Sequence, residues 1–481
     1  MHITFHGAAR NVTGSKHLLQ LNDGTSILLD CGMFQGLYNA DDLNGHFGFN
    51  PKKVDYLILS HAHIDHCGLI PRLVKEGFEG QIFCTPPTMN LARILMADSA
   101  RIQMSDAEYM NSLKKDGQPH EEPLYTEDDA MAALSLFKVV EYNEEYEITP
   151  RVKLKFTDAG HLIGSAAVNL TILEDGKYTR VTFSGDVGRY GDMILRSPQP
   201  FDQADYILME STYGDSLHKE LKPIENALHD IIQHTCKVRH GKVIIPAFSV
   251  GRTQEILYAL NALELKGCLP DVPYYVDSPL ASQATQVIKE HPEVYNSSVN
   301  EVLKVDSDPF SFKGLRFIES TQESIALNDD PRPAVIISSS GMAEAGRVRH
   351  HIRNNIGQAR NTILMVGYCE PSSLGGRLLA GDRYINIFNE EYEVVAEVKS
   401  IKSMSAHGDY EDLLKFLSCQ DPAQVKKLFL VHGEFETQKH FANILRKHGF
   451  NHIEIPFQHQ KVELTEQVAE EAEQEEQDVK E

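Results

Sequence analysis

The sequence predicts an α/β protein in which a parallel-sheet domain is inserted into a larger sheet-based domain. With 481 residues, the chain is longer than one hydrophobic core usually supports. Short apolar runs that end in histidine or carboxylate residues occur towards both ends of the chain, whereas strand and helix patterns alternate between them. The expected division is 1–215 and 396–463 for the larger domain, 216–395 for the inserted domain and 464–481 for a tail.

The composition is typical of a globular protein, with 42% hydrophobic and 24% charged residues. No apolar run approaches the roughly 20 residues that a membrane-spanning helix needs. The first residues also lack the basic and apolar pattern of an export signal. The seven cysteines are scattered without a CxxC pair, which favours reduced thiols. We therefore expect a cytoplasmic protein without membrane contact.

The net charge of −23 argues against a protein that wraps generally around nucleic acid. Part of this charge is local, because residues 464–481 carry eight acids and one lysine. This tail has few large apolar residues, so we expect it to be disordered or a frayed helix. The rest of the chain is also acidic. A polyanionic substrate would therefore depend on metal ions and a local basic lining.

The segment His61–His66 places four potential metal ligands within six residues, and only Ser60 separates it from the apolar run 56–59. If the chain stays extended, His61 and His63 leave it on the same side, and Asp65 and His66 follow where it must turn. Imidazole and carboxylate groups suit zinc and similar divalent ions. The alternative, a polar loop with incidental histidines, explains such a dense cluster poorly. The segment therefore predicts a metal site.

Other polar residues with metal-compatible groups also stand where apolar strand patterns end. They are Asp30, His161, Asp186, Glu210, His407 and His432. Such strand ends are where sites of α/β sheets are commonly assembled. Any one of these residues could serve only in a turn, and Asp30 could either cap a turn or orient a metal-bound histidine. Their recurrence favours one common site.

In the inserted region, the turn Ser338–Met342 follows an apolar strand, and a helix is expected at 343–352. Such a turn could present backbone N–H groups to an anion, although an ordinary strand-to-helix connection is the alternative. The helix carries a local excess of basic side chains, which could also be a solvated face: Arg347, Arg349, His350, His351 and Arg353.

These motifs together resemble the β-CASP branch of the metallo-β-lactamase superfamily. The HxHxDH motif at 61–66, with Asp30, His161 and Asp186, resembles the superfamily as a whole. Features similar to the β-CASP branch are Glu210 before Ser-Thr-Tyr-Gly, His407 before Gly-Asp, His432 before Gly-Glu, and the segments 251–255 and 338–342. The resemblance covers residues 1 to about 460. It implies an αββα metallo-β-lactamase sandwich with an inserted parallel-sheet α/β domain.

The resemblance also implies a centre of two zinc ions, and manganese suits the same ligands. His61, His63 and His161 would hold one ion, Asp65, His66 and His432 the other, with Asp186 as a bridge and Asp30 behind the histidines. A hydroxide held between the metals would attack a phosphodiester, with Asp65, Glu210 and His407 as catalytic residues and His407 as the general acid. Cleavage would leave 5′-phosphate and 3′-hydroxyl ends. The expected phosphate-binding residues are Ser339, Ser340, Gly341, Arg347 and Arg377.

Members of this branch process nucleic acids, and include the cleavage-and-polyadenylation endonuclease and ribonuclease J. Several DNA-processing relatives carry valine where this chain has His432, so the resemblance implies an RNA substrate. Without KH domains before residue 1 or a ribonuclease-J-like domain after 463, we expect an endonuclease. At Cys369–Pro371 the chain departs from its relatives, which tend to have glutamine after the preceding Gly-Tyr. This departure puts substrate preference, more than metal binding, in question.

The alternatives are a thioester-type hydrolase of small molecules, a DNA nuclease and a non-catalytic scaffold of RNA processing. The inserted domain and the Glu210–His407 pair argue against the first, because a small substrate needs neither. Every expected metal-ligand position is filled, which argues against a non-catalytic scaffold. The family admits a homodimer, and we expect no organic cofactor.

Overall fold

The computed structural model describes residues 1–115, 118–218, 223–367, 369–401 and 405–464. The predicted acidic tail therefore lies outside the described residues, apart from Leu464. Among the described residues, none of the helices combines the length and the apolar character that crossing a membrane requires.

The strands, numbered in chain order, are β1 (His2–Phe5), β2 (His17–Gln20), β3 (Ser26–Leu29), β4 (Tyr56–Ile58), β5 (Gln81–Cys84), β6 (Phe137–Val139), β7 (Glu145–Thr149), β8 (Val152–Asp158), β9 (Ala166–Glu174), β10 (Lys177–Phe183), β11 (Tyr206–Glu210), β12 (Lys242–Pro246), β13 (Tyr274–Val276), β14 (Leu315–Phe317), β15 (Ala334–Ser338), β16 (Thr362–Val366), β17 (Tyr384–Ile387), β18 (Glu390–Glu393), β19 (Glu397–Ile401), β20 (Lys427–Val431), β21 (Ile453–Glu454) and β22 (Gln460–Glu463).

The helices are α1 (Ala40–Asn44), α2 (Ile64–Cys67), α3 (Ile70–Lys75), α4 (Pro86–Leu113), α5 (Glu127–Leu134), α6 (Ile224–Ile232), α7 (Arg252–Leu265), α8 (Pro279–Glu290), α9 (Ser297–Val302), α10 (Thr321–Asp329), α11 (Val348–Asn355), α12 (Leu374–Ala380), α13 (Tyr410–Leu417) and α14 (Phe435–Lys447). A π-helical turn (Gln233–Val238) continues α6, and short 3₁₀ helices occur at Pro51–Lys53, Pro292–Val294 and Pro422–Gln424.

Two seven-stranded sheets form a sandwich, with strand orders β22-β1-β2-β3-β4-β5-β6 and β21-β20-β11-β10-β9-β8-β7. Their facing sides bury a common apolar core that includes Phe5, Phe83, Phe156 and Phe429. Helices α3–α5 pack on the outer face of the first sheet, and α13 and α14 pack on the second. The predicted αββα sandwich is confirmed.

A third sheet, of order β14-β13-β15-β12-β16-β19, is parallel throughout. Helices cover both of its faces, as parallel sheets require, with α7 and α8 on one side and α11 and α12 on the other. The predicted parallel-sheet insert is therefore present. Its edge strand β19 extends this sheet to Ile401, beyond the expected boundary at 395. The division of the chain into domains itself stays a prediction.

The helix expected at 343–352 begins later, because α11 starts only at Val348. The Ser338–Met342 turn therefore does not open a helix, and residues 339–347 form a loop. The physical reason is the left-handed backbone of Ala343 and Gly346, with φ of 62° and 74°, which a right-handed helix does not allow.

The carboxyl ends of the second and third sheets face each other. In the second sheet, β10, β11 and β20 are parallel neighbours, so their carboxyl ends lie at one edge. In the third sheet, Gly251 follows β12 with φ of +79°, and a Cβ atom built there would lie 3.8 Å from Leu162 Cδ1. Because Leu162 is next to His161, the inserted sheet turns its carboxyl edge towards the predicted metal ligands.

Candidate metal centre

The predicted ligands come from loops and helix starts that follow strands of the sandwich. His61 and His63 lie between β4 and α2, whereas Asp65 and His66 lie on α2 itself. The loop after β3 packs tightly against this segment, since a Cβ atom on Gly32 would lie 1.6 Å from the Asp65 carbonyl oxygen. Only glycine allows this approach of two backbones.

The first group of ligand atoms consists of three histidine nitrogens and one carboxylate oxygen, all within 4.8 Å of one another. Nδ1 of His63 lies 3.1 Å from Nε2 of His61 and 3.2 Å from Nε2 of His161. Oδ2 of Asp186 lies 3.5 Å from Nε2 of His61 and 3.6 Å from Nε2 of His161. This set of donors suits a tetrahedral divalent ion.

The second group consists of Asp65, His66 and His432. Nε2 of His432 lies 3.3 Å from Nε2 of His66 and 3.4 Å from Oδ2 of Asp65. The other oxygen of Asp186, Oδ1, lies 3.3 Å from Nε2 of His66 and 3.4 Å from Nδ1 of His432. Asp186 thus turns one carboxylate oxygen to each group.

Two neighbouring side chains orient histidines of the second group. Oδ2 of Asp30 lies 2.6 Å from Nδ1 of His66, and Asp30 accepts hydrogen bonds from the backbone N–H and the hydroxyl of Ser60. Oγ1 of Thr212 lies 3.0 Å from Nδ1 of His432. The backbones of Asp30 and His432 are left-handed, with φ of 59° and 48°, and such strain is typical of functional sites.

The electrostatics of the cluster fit a cation. Burial lowers the pKa of His63 to about 4 and the pKa values of His61 and His161 well below 6.5, which leaves the neutral imidazoles that bind metals. Burial also lowers the pKa of His66, but the carboxylates of Asp186, Asp30 and Asp65 outweigh this effect and raise it well above 6.5. The His66 side of the cluster therefore carries excess negative charge.

A buried carboxylate oxygen supports the same conclusion. Oδ1 of Asp186 has no hydrogen-bond partner among the described residues, although two imidazoles face it, and Nδ1 of the buried His161 also lacks one. An unsatisfied buried carboxylate oxygen is costly unless a cation compensates it. The residues present therefore fit divalent metal ions.

His407 lies beside the first group and is held by Glu210. Nδ1 of His407 lies 3.2 Å from Oε1 of the fully buried Glu210, and its Nε2 lies 3.9 Å from Oδ2 of Asp186. Glu210 is fixed in turn by the backbone N–H groups of Val187 and Thr212. Burial lowers the pKa of His407, but Glu210 and Asp186 outweigh this effect and raise the pKa to about 9.

Residues that the sequence patterns did not single out support His407 and His432. His218 packs its ring against Tyr213 at 5.0 Å, and its Nε2 lies 2.9 Å from the backbone oxygen of His407. Thr212 and Tyr213 belong to the motif that follows Glu210, so that motif could have indicated them. No spacing in the sequence links His218 to His407.

The expected phosphate-binding residues fall into two sets. Ser339, Ser340 and Gly341 lie in the loop after β15, at the carboxyl edge of the inserted sheet. The two arginines, by contrast, have partners inside the inserted domain. Arg347 pairs with Asp277 at 2.7 Å, and Arg377 pairs with Asp382 at 2.9 Å. The guanidinium groups of Arg347 and Arg377 are thus engaged by carboxylates, and phosphate binding by the five expected residues stays a prediction.

Three family models match the chain. A metallo-beta-lactamase superfamily domain matches residues 18–179, a Beta-Casp domain matches 253–378, and a Zn-dependent metallo-hydrolase RNA specificity domain matches 391–456.

Several relatives align over 90% or more of the chain. Ribonuclease TTHA0252 of Thermus thermophilus is 34% identical, over 93% of this chain and 97% of the relative. An RNase J-like protein of Methanocaldococcus jannaschii is 31% identical, over 92% of this chain and 95% of the relative. The transcription termination factor FttA of Methanosarcina mazei is 30% identical, over 90% of this chain and 67% of the relative.

A crystal structure of a protein of unknown function from Enterococcus faecalis superposes with a TM-score of 0.50 at 12% sequence identity. The match covers 96% of this chain and 99% of that chain. At this identity the similarity concerns the fold alone.

Proposed function

The chain belongs to the β-CASP branch of the metallo-β-lactamase superfamily, and we propose that it is a zinc-dependent ribonuclease. The observation that carries the proposal is the division of the Asp186 carboxylate between two ligand groups, with His407 beside them. This arrangement suits hydrolysis of a phosphodiester, which requires an activated water, charge neutralisation and a proton for the leaving oxygen.

Each ligand group would hold one ion: His61, His63 and His161 on one side, and Asp65, His66 and His432 on the other. When bound, the ions would supply an activated water near neutral pH and positive charge beside the reacting phosphate. Asp186 would belong to both groups. Asp30 keeps Nε2 of His66 directed into the centre by holding its Nδ1.

His407 would deliver the proton that the leaving oxygen needs. Because Glu210 binds Nδ1, the Nε2–H group of His407 is the one that faces the centre. Transfer of this proton to the departing 3′ oxygen would leave a 3′-hydroxyl on one fragment and a 5′-phosphate on the other. Glu210 would stabilise the imidazolium before transfer.

Two observations support RNA as the substrate. The matched domain at 391–456 is described as an RNA specificity domain, and the aligned relatives include ribonucleases. We propose internal cleavage in the cleft between the sandwich and the carboxyl edge of the inserted sheet. We also propose a cytoplasmic location, where the seven free cysteines would stay reduced.

The direct test is cleavage of a 5′-labelled single-stranded RNA by the zinc-loaded protein, with DNA of the same sequence and a thioester substrate in parallel. We expect internal RNA fragments that carry 5′-phosphate and 3′-hydroxyl ends. His440→Ala changes an exposed histidine on α14 and serves as the control for His407→Ala. A fully metallated protein that leaves RNA intact but hydrolyses DNA or the thioester would refute the proposal.

A further inference from the structure

The inserted domain carries a basic cluster outside the catalytic cleft, formed by Arg349, His350 and Arg353 on α11 around the ring of Phe388. We propose that this cluster is a second RNA-binding surface, which holds phosphates of a strand whose reacting phosphodiester lies in the metal centre. The proposal rests on the ribonuclease function and extends it, because it distinguishes long from short substrates.

The three basic side chains are arranged by one aromatic ring. The guanidinium carbon of Arg349 lies 4.4 Å from the centre of the Phe388 ring, and that of Arg353 lies 5.6 Å from it. The ring of His350 lies 4.5 Å from the same centre, at an angle of 33°. Both guanidinium groups lie within the about 6 Å at which an aromatic ring attracts a cation, and this attraction does not occupy their N–H donors.

Those N–H donors have no hydrogen-bond or ion-pair partner in the part of the chain that the structure describes. The side chains of Arg349 and Arg353 form neither an ion pair nor a hydrogen bond with any described residue. Arg347, which directly precedes α11, is by contrast paired with Asp277 and donates to the backbone oxygen of Glu319. We therefore expect Arg349 and Arg353, rather than Arg347, to contact phosphate on this side of the inserted domain.

The backbone conformation of Phe388 indicates that the cluster is a specific feature of the fold. Phe388 and Asn389 form the two-residue turn between β17 and β18, with φ of 54° and 63°. Such turns favour asparagine and glycine, and a bulky residue with a positive φ is strained. The chain nevertheless keeps phenylalanine at the turn, where its ring orders the basic side chains of α11. Strain of this kind is typical of functional sites.

The charge around the cluster favours an anion. Burial lowers the pKa of His350, and Arg353, His351 and Arg349 lower it further, which reflects the positive potential at this place. Of the three acids on β18, Glu390 accepts a hydrogen bond from the hydroxyl of Tyr392 and Glu393 pairs with Arg383. In a chain of net charge −23, an unpaired basic cluster is a specific feature that points to a polyanionic ligand.

Only seven residues separate Gly341 from Arg349, so the cluster begins within about 30 Å of the loop at the cleft, a distance that one RNA strand can span. Helix α11 follows the loop of Ser339–Gly341, which stands at the carboxyl edge facing the metal centre. Arg349 and Arg353 are about 6 Å apart along the helix axis, from the rise of about 1.5 Å per residue. This spacing is comparable with that of adjacent phosphates in an extended single strand. RNA is therefore the ligand that the surface fits.

The test compares the zinc-loaded wild type with the double variant Arg349→Gln/Arg353→Gln, on RNAs of about 6 and about 25 nucleotides. The matched control is Arg332→Gln/Arg360→Gln, which removes two exposed arginines just before β15 and β16, at the opposite edge of the same sheet. Cleavage rates and binding of both RNAs are measured, with thermal unfolding to verify that each variant folds.

We expect the double variant to bind the long RNA roughly tenfold more weakly, with a slope of log K against log salt that is smaller by about 1.4. Cleavage of the short RNA should not change. Phe388→Leu keeps both charges but removes the ring, so it should weaken binding of the long RNA without changing the salt slope. The control variant should behave as wild type.

Equal binding of the long RNA by wild type and the double variant would overturn the proposal, as would an equal loss in the control variant. A loss for short and long RNA alike would also overturn it, because it would place the effect in the cleft. If the wild type cuts no RNA, the ribonuclease assignment fails, whereas the binding comparison still decides whether the surface holds RNA.

Discussion

Oε1 of Glu210 lies 3.2 Å from Nδ1 of His407, although the two residues are 197 positions apart in the chain. The contact forms because β11 ends at Glu210 beside β20, while His407 pairs with Gly188 in the loop after β10. A buried carboxylate thereby fixes the direction of an imidazole that the metal ligands surround.

His407→Ala should keep its metal ions and lose RNA cleavage by a factor of about 10² to 10⁴, the usual contribution of a general acid. The specific test is an RNA whose scissile 3′ oxygen is replaced by sulfur, a leaving group that needs no proton. We expect this substrate to restore most of the lost rate in single-turnover assays. A variant that stays equally slow on both substrates would contradict the proton-transfer role.

Asp186→Asn should reduce metal binding in both ligand groups, because Asp186 contributes one oxygen to each. Replacement of His63, which lies only in the first group, should affect mainly one ion. The measurement is metal content per chain after extensive dialysis, determined by elemental analysis. If Asp186→Asn loses no more metal than His63→Ala, the shared-carboxylate interpretation is wrong.

Asp30→Asn should weaken metal binding or activity by about 10- to 100-fold, the usual effect of removing a carboxylate behind a metal-binding histidine. The substitution keeps the size of the side chain but replaces the charged partner of His66 Nδ1. Zinc titration with a competing chelator measures the affinity. If the Asp30→Asn protein keeps its zinc affinity and its activity, Asp30 contributes only to the local fold.

The stability of the inserted domain should depend on the carboxylate of Asp277. The fully buried Asp277 binds Arg347, His351 and Ser324. Asp277→Asn should lower the free energy of unfolding by about 3 kcal/mol near neutral pH, because it leaves buried polar partners without their carboxylate. Urea unfolding of the metal-loaded proteins measures the difference, and metal content should not change.

The difference should depend on pH in a defined direction. Burial raises the pKa of Asp277, but hydrogen bonds from His351, Ser324 and Arg347 outweigh this effect and hold the pKa below 3.8. A carboxyl group whose pKa is lower in the folded state stabilises the fold above its unfolded pKa, and this stabilisation is lost as the pH falls through the folded pKa. Wild type and Asp277→Asn should therefore converge in acid. A constant difference between them would contradict this assignment.

The sequence alone determined the elements and the chemical types at the candidate site. The spacing of His61, His63, Asp65 and His66 is local, so the strand and turn that carry them follow from a few neighbouring residues. Apolar runs likewise indicated the buried strands, and their alternation with helix patterns indicated the parallel sheet. The start of α11 escaped this reasoning, because Ala343 takes a left-handed backbone that its residue type does not favour.

Only the tertiary structure decided which atoms meet. The packing of the sheets and their loops brings Asp186 between two ligand groups and Glu210 next to His407. It also places the ring of His218 against the backbone oxygen of His407. The partners of the arginines also depend on the tertiary structure, since the sequence does not distinguish Arg347 from Arg349. Only the fold pairs Arg347 with Asp277 and places Arg349 against the ring of Phe388. The physical reason is that local periodicity encodes secondary structure, whereas partners far apart in the chain are selected by packing.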